Sequence, residues 1–148
     1  LGSVPRAVLR LAYKAVPCTA SAAFPTQTQV HIPLLEVAFE YGGKSFRTLG
    51  LLDSGAGRML APTDIADALG IDWKTCPQTP VIGVSGTGIG YAADVQLKVL
   101  LANHHWTARV VFTPGLNAVG IPLLGQQGFF DHCVVQFEAR KKEFKITI

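Results

Sequence analysis

Between Val30 and Ile148 the chain is cut into short β-forming runs by turn signals, and that punctuation leaves few architectures open. Val30 to Glu40 alternates, Tyr41-Gly42-Gly43-Lys44 turns, and Ser45 to Leu52 runs back as a hairpin. A Pro-containing loop is expected through Pro80. Val81 to Val84 and Ile89 to Leu101 then flank a glycine-rich tip, Ser85-Gly86-Thr87-Gly88. Asn103 and His104 mark another turn before Trp106 to Phe112 alternates again. Cys133 to Phe137 and Phe144 to Ile148 form a last pair around the basic turn Arg140-Lys141-Lys142. Helix signals are few. Thr63 to Leu69 is the clearest, with Thr63 as its cap, Asp64 and Asp67 at its positive end and Gly70 as its stop. A second short helix is expected near Gln126 to Asp131. Such a chain is expected to be mainly β, a barrel-like domain with one or two short helices.

Composition narrows the function classes. Apolar residues are 49% of the chain and charged residues 16%, which argues for a packed core and against disorder. At 148 residues one domain is expected, over 29–148, preceded by a flexible lead-in and linker over 1–28. Leu1 to Ala23 mixes Arg6, Arg10 and Lys14 with Ala, Val and Leu, and Pro17 to Thr28 is rich in Pro, Ser, Thr and Ala. No run approaches the ~18 apolar residues of a spanning helix, so any membrane association would come from sequence upstream of the domain. The net charge of +3 is modest and its one cluster is a turn, so no nucleic-acid partner is expected. Three cysteines, Cys18, Cys76 and Cys133, are too dispersed for a zinc site or a disulfide scaffold, which favours a reducing, cytoplasmic setting. His104 and His105 are adjacent, so on a strand they face opposite ways and cannot chelate together. No metal and no other cofactor is expected.

The chemistry concentrates at Leu51-Leu52-Asp53-Ser54-Gly55-Ala56. A carboxylate at the end of an apolar strand is costly to bury alone. Gly55 lets backbone N–H groups turn toward it, and the Ser54 hydroxyl can bond a neighbouring main chain. The tripeptide Asp-Ser-Gly by itself is more often a plain turn. The glycine-punctuated hairpin tip from Gly83 to Gly90 and the apolar segment Leu123-Leu124-Gly125 add weight in combination. No Lys-Ser or Lys-Thr pair follows the glycines, so a phosphate loop is a poor rival.

In this order, over Val30 to Ile148, the elements resemble the retropepsin-like aspartic proteases, cellular and bacterial members included. The resemblance rests on Leu51 to Ala56 as catalytic loop, Val81 to Gly90 as flap, and Leu123-Leu124-Gly125-Gln126-Gln127 as the segment packed under the loop. It implies a closed barrel and an aspartic endopeptidase whose dyad forms across a homodimer. Asp53 would be the catalytic residue, with Ser54, Gly55 and Ala56 supporting the loop. Val84, Ser85, Gly86, Thr87, Gly88 and Ile89 would close over a peptide or protein substrate. Leu51, Val84 and Ile89 would give an apolar lining. The terminal strand Phe144 to Ile148 is suited to pairing with another chain's edge. Two positions depart from the viral pattern: Gly57 and Gln126 stand where an acidic residue and an Arg usually pair. Arg58 is expected to face solvent, the alternative being a substrate carboxylate. The competing reading is a catalytically weak or inactive peptide-binding or dimerisation module with the same fold.

Overall fold

Strands lie within the span where a flexible lead-in is expected. The structure is a computed structural model and describes residues 6–148. β1 (Val8–Ala12) pairs with the last strand of the chain, from Val8 opposite Thr147 to Ala12 opposite Glu143. Its Leu9 and Leu11 pack on the core, and burial of these alternate residues offsets the entropy of ordering the segment. β2 (Lys14–Pro17) pairs with β3 (Gln29–Ile32). The flexible reading of 1–28 is therefore corrected over 8–17, and residues 1–5 lie outside the described part. Between β2 and β3 the Pro/Ser/Thr-rich stretch is a loop, drawn together where Cys18 N–H donates to Thr28 O at 2.9 Å.

β4 (Leu34–Tyr41) and β5 (Lys44–Leu52) form the expected hairpin. Gly42 and Gly43 sit at φ 55° and 80°, the left-handed pair that a two-residue turn between twisted strands requires. β6 (Met59–Pro62) leads into α1 (Thr63–Ala68), which Gly70 ends at φ 73°. The expected Thr63 cap is corrected. Pro62 holds the cap position, and the buried Thr63 hydroxyl instead accepts from Asn117 Nδ2 at 2.9 Å. Asn117 Oδ1 accepts the Asp64 N–H at 3.3 Å, so the cap comes from a distant loop.

β7 (Gln78–Gly83) starts earlier than expected and takes in Pro80, which is tolerated on an edge strand. The two-residue turn Val84-Ser85 joins it to β8 (Gly86–Val99), and β9 (His104–Thr113) follows. β10 (Leu123–Leu124), β11 (Val134–Glu138) and β12 (Glu143–Thr147) complete the chain. Seven strands form one sheet in the order β4-β5-β10-β6-β9-β8-β7, and a further β4–β8 pairing closes it on itself. β8 is long enough to do both jobs on one edge. Its first part pairs with β7, and Gln96 to Val99 pairs with β4. The β7–β8 hairpin consequently projects from the closed ring. The core inside it holds Phe39, Phe112, Phe129, Phe144, Met59 and Leu97, all essentially inaccessible. Each such burial contributes about 1.5–3 kcal/mol.

Two further expectations are corrected. Gln126 to Asp131 is a series of turns, not a helix. Gly128 at φ 107° breaks any helical path, and Gln127 is drawn into a parallel bridge with Arg58. Asp131 Oδ1 accepts the Gly128 N–H at 3.0 Å and closes the turn. The terminal strand is also not a free edge: β12 lies between β1 and β11, so its backbone groups are paired within the chain on both sides.

All three cysteines are unpaired, and burial followed by the nearby Asp131 charge pushes the Cys133 thiol up to about 12. His104 and His132 approach with their Nε2 atoms 3.1 Å apart, and the His132 ring stacks on Trp106 with centroids 4.0 Å apart. Partial burial first and the His104 charge second hold His132 below the ordinary histidine value, against an opposing pull from Asp131. In the unfolded chain His132 takes up its proton near pH 6.5, and in the fold only at lower pH. Acidification through that window favours the unfolded state, so stability is full above it and declines as pH falls. The melting temperature is expected to be flat at neutral pH and to drop below about pH 6.5. His132→Gln should flatten the drop, and an unchanged slope in that variant would locate the acid sensitivity elsewhere.

Candidate active site

Asp53 follows directly on β5, and pairing on both sides of its loop sets its position. β10 runs parallel to β5, with Leu123 opposite Leu51 and Leu124 opposite Leu52. Its other edge meets β6 at Leu60. β10 thus threads between the strand that enters the Asp53 loop and the strand that leaves it. Asp53 N–H donates to Leu124 O at 3.1 Å, Gln126 N–H to Ala56 O at 2.8 Å, and Gln127 N–H to Gly57 O at 3.0 Å. Gly125 sits where the two backbones touch. A Cβ there would lie 2.2 Å from Arg58 O and 2.7 Å from Ala56 O.

Within the loop, Gly55 N–H donates to Asp53 Oδ1 at 2.9 Å and Ala56 N–H to Asp53 O at 3.1 Å. These bonds orient the carboxylate and leave Oδ2 without a hydrogen-bond partner among the described residues. The Ser54 hydroxyl likewise makes none there. Gln126 Nε2 donates to Ser54 O at 2.8 Å. That amide ties the loop to the segment after β10, at the position where an ion pair is lacking.

Asp53, Gly55 and Ala56 open into a cleft of about 700 Å³ whose roof is the β7–β8 hairpin, Val81 to Gly88. Of the residues singled out from sequence, Val84, Ser85, Gly86, Thr87 and Gly88 lie on this cleft, but Ser54, Ile89 and Leu51 do not line it. The turn itself is Val84-Ser85, with Gly86 to Gly88 already in β8. Val84 is fully exposed and Ile82 is 80% exposed, an apolar tip with nothing beneath it. Leu60, Leu116, Leu123 and Thr113 complete the walls. Leu60 and Leu116 carried no signal in the sequence, since a partly buried leucine in a short strand or loop reads as ordinary packing. Among the described residues no three His, Cys, Asp or Glu side chains gather as a metal site.

No family model matches the sequence, and no curated protein matches it. Solved structures do match. A retropepsin-like aspartic protease from Rickettsia conorii superposes with a TM-score of 0.57 at 10% identity, over 99% of this chain and 97% of that one. The simian foamy virus (mac) protease gives 0.42 at 18% identity, over 64% of this chain and 88% of its own. The chain has the retropepsin-like fold, mainly β with few short helices.

Proposed function

We propose that the chain is one subunit of an aspartic endopeptidase whose catalytic pair is Asp53 and its copy in a second chain. The supporting observation is the position of Asp53. One half-exposed carboxylate, oriented by its own loop and present once per chain, stands at the floor of a cleft roofed by a projecting hairpin. Two carboxylates brought together by a two-fold axis hold one proton between them, because like charges repel; aspartic proteases are the standard example of this effect. The charged member takes a proton from a bound water, which attacks the peptide carbonyl. The protonated member hydrogen-bonds the carbonyl oxygen, and the roles exchange as the tetrahedral intermediate collapses to acid and amine. The Ser54 hydroxyl, without a partner among the described residues, bonds the opposite loop in this reading. The β7–β8 hairpin closes over an extended substrate and excludes water. Leu60, Val81, Leu116 and Leu123 favour bulky apolar side chains beside the cut.

A proteome-derived peptide library, incubated with the protein from acidic to neutral pH, tests this alongside sedimentation equilibrium. Cleavage that tracks the dimer fraction is expected. A protein that stays monomeric with peptide present, or one that binds peptides and cuts none, would replace the enzyme with a binding module.

A further inference from the structure

A second cavity, of about 250 Å³, continues the cleft away from Asp53. Three separate elements each contribute one residue to the cleft and the residue two positions along to this cavity. Ala56 gives way to Arg58 on the loop, Val81 to Thr79 on β7, and Thr113 to Val111 on β9. A two-residue step along extended chain is about 6.6 Å, the spacing of alternate side chains on one face of an extended peptide. A substrate lying in the cleft therefore presents its side chain two residues away to this cavity.

The cavity carries uncompensated positive charge. Its titratable lining is Arg58 and Arg109, with no acidic residue among the lining groups. Arg109 pairs across the strands with Asp94 at 3.2 Å, so part of its charge is answered. Arg58 is in none of the ion pairs among the described residues. Its Nη1 donates to Thr79 Oγ1 at 3.0 Å, a bond between two residues of the cavity lining that leaves its other donors without a partner among the described residues. A planar guanidinium with free donors is matched to a carboxylate, which accepts two parallel bonds.

We propose that this cavity binds an acidic side chain of the substrate, so that Arg58 selects peptides with Asp or Glu two residues from an apolar residue in the main cleft. The proposal rests on the peptidase reading and adds the substrate class. A symmetric dimer holds two copies of the cavity, so the preference falls on both sides of the cut at matched distances. Arg58 is exposed, as expected of a residue that faces solvent, and the proposal gives that exposed guanidinium the alternative role of meeting a substrate carboxylate.

The test uses twin peptides, cut by the unaltered dimer, that differ only by Glu against Gln at the matched position. A charge-assisted bond of this kind makes kcat/KM roughly tenfold higher for the Glu twin, mainly through KM. Arg58→Gln should bring the ratio to about one, and Arg58→Lys should keep part of it. A ratio near one in the unaltered protein, or a ratio unmoved by Arg58→Gln, overturns the proposal. If no peptide is cut at all, it is the peptidase reading that fails, and the twins are compared by fluorescence anisotropy instead. A Glu preference lost in Arg58→Gln then still supports the cavity, and equal binding of the twins overturns it. Inorganic phosphate is the third arm. Thermal stabilisation by phosphate that disappears in Arg58→Gln, with twins treated alike, assigns the cavity to a free anion and removes it from substrate selection.

Discussion

An equal mixture of unaltered chain and Asp53→Asn chain, allowed to exchange subunits, is expected to cleave peptide at roughly one quarter of the unmixed rate, since only one dimer in four carries two carboxylates. The Asp53→Asn protein alone should lose about 10⁴-fold in kcat, the upper end for removing a positioned acid–base group. Its fold should survive, because an asparagine side chain keeps the Oδ1 that accepts the Gly55 N–H at 2.9 Å. Near-isosteric replacement at a half-exposed position shifts stability by about 0.5 kcal/mol or less. The mixing experiment separates two mechanisms that a simple knockout cannot. If each chain carried a complete site of its own, the mixture would retain half the activity. That outcome, with exchange verified, would end the half-site proposal.

Gly125→Ala is expected to be the most damaging single methyl group in the chain. The new Cβ would stand 2.2 Å from Arg58 O and 2.7 Å from Ala56 O, both backbone atoms of the Asp53 loop. Neither can swing aside as a side chain could, so the loop and the segment after β10 must separate. The bonds from Gln126 N–H to Ala56 O and from Gln127 N–H to Gly57 O are the first to be strained. A loss of about 3 kcal/mol, the top of the usual range for overpacking, corresponds to roughly 10 °C in melting temperature for a chain of this size. Gly57→Ala supplies the control. A Cβ there meets nothing within 4 Å, and the position has no positive φ, so its cost should be within about 0.5 kcal/mol. Equal melting temperatures for the two variants would show that the close approach under the loop does not hold the site together.

Some of the structure was legible because its cause is local. The Gly42-Gly43 turn was readable, since only glycine takes two successive left-handed conformations cheaply. The helix over Thr63–Ala68 and its stop at Gly70 were readable for similar reasons. The Asp53 loop stood out because a carboxylate after Leu51 and Leu52 conflicts with its apolar surroundings. Other features gave way to partners far along the chain. Thr63 looked like a cap, but Asn117 satisfies the Asp64 N–H and Thr63 turns inward. Gln126 to Asp131 was expected to form a short helix, yet Gln127 is claimed by a bridge to Arg58. The strands over 8–17 were hidden because Leu9 and Leu11 earn their burial only against a sheet that forms elsewhere.

The amino-acid order alone thus determined the hairpins, the single acidic loop and the glycine-rich roof, since backbone preference and alternation act over a few residues. Tertiary structure decided the rest: β10 between β5 and β6, β1 covering β12, and Arg58 beside Thr79 at the end of the cleft. Those pairings join residues dozens of positions apart, and no local pattern records which edge a strand will meet. The chain supplies the carboxylate in its own sequence, but the surroundings that orient it exist only after the sheet has closed.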